Sequence, residues 1–324
     1  MLKLITIPIF IAVFLIVVSC ERDHGQPFGS GFSKTANGNI ARGNLTSVPR
    51  PDRRPLNEGP ISPDGIKIVM ATSDFGVGRN RIGFVLISAK RGFLKGPIAK
   101  VTAKHIDDRI GNNNFVQSNV ADYRPWSYGS RGAYITWLDF KAPGLWSLDV
   151  TLKTETGTTK QAQATLKVEE IPAAPATGAP AIMSVSKTVA DVDTLEELST
   201  GSLLDKDLYR MTIAEAVITG KPTVIVFASP GFCTNAVCGP QVEVLQRLKD
   251  TYNNHANFIH VDFYENPHQI QGDLEKAIIS SSVLEWRLPS AEWTFVIDRG
   301  GIIQARLEGF STYNEIEGIL RDLL

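Results

Sequence analysis

The apolar residues of this 324-residue chain change their repeat partway along its length, and that change limits the folds open to it. Between residues 60 and 170 they fall in short runs, several of which alternate with polar residues, as in Leu148-Asp149-Val150-Thr151-Leu152. Period two is the pattern of strands with one face buried and the other wet. The runs 67–72, 82–88, 99–106, 133–140, 146–153 and 163–168 are separated by Gly, Asn and charged turns, a spacing that predicts an all-β sandwich. No run there keeps the helical repeat.

Beyond residue 201 the repeat alternates between helix and strand. Thr212-Ile213-Ala214-Glu215 has the form of a capping box opening a short helix that Gly220 can close. Thr223-Val224-Ile225-Val226-Phe227-Ala228 is a β-branched apolar run of the buried-strand type. Val242, Val244, Leu245 and Leu248 keep helical spacing through 240–252. Strands follow at 258–263, 293–298 and 302–307, and a closing helix at 312–324. The predicted order is α, β, α, β, helical segment, β, β, α.

The N-terminus bears on compartment. Lys3 precedes an apolar run over 4–18, short for a bilayer span and suited to a signal-peptide core. It ends in Val17-Val18-Ser19-Cys20, which resembles a bacterial lipobox. The resemblance implies a lipoprotein signal peptide over 1–20, cut so that Cys20 becomes the lipidated first residue, and a place in the bacterial cell envelope, on the extracytoplasmic side of a membrane held by acyl chains. Residues 21–59, rich in Gly, Asn, Ser, Pro and Arg, read as a flexible tether, and the Pro/Ala-rich 171–200 as a linker between a 60–170 domain and a 201–324 domain. With 33 basic against 34 acidic residues the net charge is -1, so no bulk field draws the chain to nucleic acid.

Three cysteines less the lipid site leave Cys233 and Cys238, in a compartment where disulfides persist. They follow a predicted strand and precede a predicted helix, whose N-terminal dipole and free N–H groups favour a thiolate. Cys233 reads as the attacking sulfur and Cys238 as the resolving one. Phe232, Pro240 and Trp293 are candidate substrate-facing residues. A structural disulfide in a binding module is the alternative, although so short a loop removes little unfolded-state entropy.

Several families resemble parts of this pattern. Gly132-Ala133-Tyr134 and 143–150 are similar to the ending of immunoglobulin-like envelope domains of the YtkA type. The element order after residue 201 resembles a thioredoxin fold, and 221–309, with Lys221-Pro222 before the cysteines and Trp293-Thr294-Phe295-Val296-Ile297-Asp298 after them, resembles exported TlpA-type proteins. Together they imply an N-terminal all-β immunoglobulin-like sandwich followed by a C-terminal α/β thioredoxin-like domain. The implied activity is thiol:disulfide exchange with exported proteins that carry thiols or disulfides, without a cofactor. The chain departs from that family in having four residues between the cysteines and no proline directly before Trp293.

The segment 230–239 also resembles peroxiredoxin Q, whose cysteines lie five positions apart, but Pro230 occupies the place of the needed hydroxyl and Glu292 that of an arginine. A Sco-type copper site would need a late histidine, and none follows His268. One Cys pair without a second Cys or His pair does not close a tetrahedral zinc site, so no metal is expected, and His260 and His268 read as structural or solvated.

Overall fold

The computed structural model describes residues 58–324, except 89, 91, 107–114, 127–130, 155, 203 and 234–236. The expected signal peptide, the expected lipidation site Cys20 and the expected tether up to residue 57 lie outside the described residues. Every described residue belongs to one compact unit.

Each of the six runs falls on a strand, the first reaching two residues and the third one residue past its end, and three further strands join them. In chain order they are β1 (Ile66–Met70), β2 (Phe75–Gly76), β3 (Gly78–Ser88), β4 (Gly92–Phe93), β5 (Ile98–His105), β6 (Val116–Pro125), β7 (Gly132–Phe140), β8 (Gly144–Lys153) and β9 (Thr159–Glu169). They form one hydrogen-bonded sheet in the order β1-β3-β7-β6-β5-β8-β9-β2, with β4 alongside β3. All pairs are antiparallel except β2 with β9. The sheet curls until β1 meets β9 and encloses Ile68, Phe84, Val101, Tyr134, Trp146 and Leu148. Register supplies the packing: Leu148 sits between Ala103 and Ala164, a large side chain between two small ones, and Val150 between Val101 and Ala162.

The rest of the chain forms a four-stranded sheet in the order β11-β10-β12-β13, from β10 (Thr223–Ala228), β11 (Asn257–Asp262), β12 (Trp293–Ile297) and β13 (Ile303–Glu308). β10 runs parallel to β11 and antiparallel to β12, and β12 is antiparallel to β13. Every residue of β10 and β12 is buried, as continuous apolar strands require. On one face Phe227, Phe295 and Trp286 pack together; on the other Val224, Val226 and Val296 meet Leu245, Leu248 and Ile316. The helices are α1 (Ile213–Val217), α2 (Cys238–Tyr252), α3 (Pro267–Ile270), α4 (Ser281–Glu285) and α5 (Tyr313–Arg321).

This architecture corrects the expected one. In place of a two-sheet immunoglobulin-like sandwich there is one curled nine-stranded sheet, because β6 joins β5 to β7 and closes the hydrogen-bonded path. The chain is mostly β, and an α/β thioredoxin-like domain is not evident. Among the described residues there are five helices, of which α1, α3 and α4 have five residues or fewer. The capping box at Thr212 is present, but Gly220, at φ +73°, turns the chain away soon afterwards.

The Ala/Pro-rich stretch is packed against the four-stranded sheet. Ala174 is fully buried, Pro180 bridges to Ile302, and Gly178 and Ala181 donate their N–H groups to Ile303 and Gly301. Ser184 Oγ accepts from the Trp286 indole at 3.1 Å.

Charged side chains join the two sheets. Arg81, on β3, pairs with Glu315 of α5 at 2.7 Å and donates to the carbonyls of Glu308 and Phe310 at 2.9 and 2.8 Å. Asp74 pairs with Arg306 of β13 and accepts the N–H groups of Ala173 and Ala174. Glu308 accepts from Ser73 and Ser290.

Candidate functional site

Where β10 ends, the chain makes a 3-10 turn over Pro230–Phe232 and reaches Cys233; α2 starts at Cys238. The two sulfurs form a disulfide across a Cα separation of 5.9 Å. Cys238 is fully buried against Val242, Leu245 and β10, whereas Cys233 is half-buried. The Cys238 backbone N–H donates to Cys233 Sγ at 3.2 Å. A free N–H at a helix start is the local field that favours a thiolate over a thiol.

The turn before Cys233 is tied down from the opposite side. Thr200 Oγ1 accepts the Gly231 N–H at 3.0 Å, and Thr200 donates its own N–H and hydroxyl to Asp262 Oδ2 at 2.7 and 2.8 Å. A Cβ at Gly231 would lie 2.7 Å from the Thr200 carbonyl, so the close approach requires glycine. Burial pushes the Asp262 carboxyl up to about 6, against the hydrogen bonds from Thr200, Tyr264 and Ser229 that favour its charge. Nearby, His260 is buried with Nε2 3.1 Å from the Ala228 carbonyl and Nδ1 2.6 Å from the Tyr209 hydroxyl. The carbonyl can only accept, so Nε2 carries the proton and Nδ1 accepts from Tyr209. Burial pulls His260 down to about 4, and the ring is neutral.

The fourth group is Glu292, directly before β12. One carboxylate oxygen and the two sulfurs all lie within 4.8 Å of one another. Glu292 is 4% exposed, and neither oxygen has a hydrogen-bond partner. Burial pushes its carboxyl up to about 8; Glu308 adds to the rise and Arg81 opposes it. At neutral pH it is an uncharged acid beside the disulfide. Two residues on, on the same face of the strand, the buried Thr294 hydroxyl also lacks a partner.

The remaining predicted residues take different positions. Phe232 is half-buried, edge-on to Tyr264 with ring centroids 6.0 Å apart. Pro240 is buried in the first turn of α2. Trp293 is 1% exposed, donates its indole N–H to Ser290 at 3.0 Å and lies under the Arg306 guanidinium. An open groove of about 260 Å³ borders the disulfide turn along Thr200, Pro230, Gly231 and Gly239.

Sequence reasoning named Glu292 only as the residue standing where a peroxiredoxin Q-like site needs an arginine. The available signal was a lone acid at the head of a run otherwise fit for a buried strand. Thr200, Asp262 and His260 carried no such signal: they come from a polar segment and a strand end, and only the fold brings them to the turn. In comparison with protein-family models and with curated proteins, the chain matches none.

Proposed function

We propose that Cys233 and Cys238 are a thiol–disulfide exchange centre acting on exported proteins, on a chain held to a bacterial membrane through Cys20. The observation that carries this reading is the asymmetry of the pair: Cys233 is half-buried and its sulfur receives the Cys238 N–H, whereas Cys238 is fully buried. Exchange requires one half of the bridge to be accessible to a partner thiolate, at a place where the thiolate is favoured. The reading rests on this local geometry and on the lipobox, not on a fold.

In the oxidising direction, a partner thiolate attacks Cys233 Sγ, the S–S electron pair passes to Cys238, and a mixed disulfide forms. A second partner thiolate then attacks the partner's own sulfur and releases Cys233. Two electrons and two protons have moved from the partner dithiol to the pair, and the partner holds the new disulfide. In reverse, Cys233 attacks and Cys238 resolves.

A thiol-trapping titration of the chain against defined redox buffers tests this. A midpoint above about -300 mV is expected, since structural disulfides of exported proteins typically lie below it. A pair that stays oxidised below that value sinks the proposal. Consumption of hydrogen peroxide by the same samples would redirect it to peroxidase chemistry.

A further inference from the structure

Reduction of the disulfide leaves two thiols beside a carboxyl group that the exchange reaction does not use. Cys233 Sγ, Cys238 Sγ and a Glu292 oxygen already lie within 4.8 Å of one another. Three ligands around one tetrahedral ion, with metal–sulfur bonds of about 2.3 Å and metal–oxygen bonds of about 2.1 Å, sit roughly 3.5–3.8 Å apart. The carboxylate oxygen must approach the sulfurs by at most about 1 Å, and the sulfurs must part from their bond to about 3.8 Å, both within reach of side-chain rotation once the S–S bond has opened. Glu292 is a buried side chain with both oxygens unpartnered, which is costly unless something is bound there in some state of the protein.

We propose that the reduced chain holds a divalent, borderline-soft cation of the zinc class on Cys233, Cys238 and Glu292, with its fourth position open toward solvent on the Cys233 side. This rests on the exchange reading only in requiring that the disulfide be reducible. Two thiolates and a carboxylate suit such an ion, because the soft sulfurs disfavour magnesium and calcium and the hard oxygen is a poor ligand for copper(I). Three protein ligands and an open position are also the arrangement of zinc sites that keep room for water or substrate.

The states exclude one another. In the disulfide the sulfurs are bonded to each other and the site does not exist. Reduction by an external dithiol adds two electrons and two protons and makes two thiols, the dithiol becoming a disulfide; metal binding then displaces the ligand protons into solvent. Metal occupancy would hold the pair reduced and silence exchange.

The test uses the full chain with Cys20→Ser, which removes the third thiol. After reduction by a phosphine, two titratable thiols confirm that the disulfide has opened. Co²⁺ is then added as the spectroscopic probe. One equivalent should give a thiolate-to-cobalt charge-transfer band with the visible bands of a tetrahedral site, and Zn²⁺ should abolish both. The oxidised chain should give neither. Glu292→Gln should weaken Co²⁺ binding at least about tenfold. Independently of any variant, Zn²⁺ should raise the melting temperature of the reduced chain and not of the oxidised one. A chain with two titratable thiols that takes up no Co²⁺, or binds it equally well as Glu292→Gln, overturns this inference and leaves the exchange reading standing. A pair that resists reduction overturns both.

Discussion

At the scale of single residues, the two cysteines differ in what their loss should do. Cys233→Ser removes the reachable sulfur, so no mixed disulfide with a partner should form. Cys238→Ser removes the resolving sulfur, so a mixed disulfide at Cys233 should accumulate and be captured by acid quenching and electrophoresis. Equal trapping by both variants would mean that burial does not assign the roles. His260 makes a separate prediction. Its folded pKa of about 4 lies below the unfolded 6.5, so the unfolded chain binds a proton that the folded one refuses, and stability is present above pH 6.5 and lost as pH falls toward 4. The loss is about 3 kcal/mol at 1.36 kcal/mol per unit. Asp262, raised from 3.8 to about 6, has the opposite sign: its ionisation costs stability as pH rises through that window. Urea denaturation between pH 6.5 and 4 should therefore show His260→Gln, which can keep both hydrogen bonds, losing about 3 kcal/mol less than the unsubstituted chain. Asp262→Asn should lose more on the same acidification.

At the scale of elements, α2 is held by its apolar face more than by its ends. Its N-cap, Val237, offers no side-chain oxygen, whereas Leu245 and Leu248 are fully buried against β10 and β12. Leu245→Ala should cost about 2–5 kcal/mol, read as a lowered urea midpoint with an unchanged slope. α5 is the contrasting case, since Thr312 Oγ1 accepts the Glu315 N–H and Glu315 also pairs with Arg81. Thr312→Ala should cost about 1 kcal/mol. Strands were legible where burial left an apolar pattern, alternating in β8 and continuous in β10 and β12. β6 was not, because it buries little beyond Ala121: Gln117 and Asn119 share that residue's face while Val116 and Val120 lie exposed on the other, which leaves no apolar repeat to read. Missing that strand removed the link that turns separate hairpins into one curled sheet.

At the scale of the whole molecule, the two sheets are joined by ions that were taken out of water. The Arg81 side chain is 2% exposed and its three donor nitrogens are satisfied by Glu315 and two carbonyls. Removing one member of such a group leaves a buried charge uncompensated, so Arg81→Ala should cost about 3–5 kcal/mol. Replacing Arg81 and Glu315 together should cost much less than the sum, and a double-mutant cycle monitored by thermal unfolding would expose the difference. Additive losses would mean that the pair contributes nothing to joining the sheets. Neither partner is conspicuous in the sequence, since 234 positions separate them.

What depends on near neighbours could be read along the chain: strands at the six short runs, the apolar runs of β10 and β12, the helix after the cysteines, and the pairing of Cys233 with Cys238. These follow from repeat, capping and short separation, which act within a few residues. Only the tertiary structure decided how the strands share one curled sheet in place of a sandwich, that Glu292 lies uncharged against the sulfurs, and that Thr200 and Asp262 brace the turn. Those outcomes depend on burial and on partners far apart in the chain, and a local pattern carries neither.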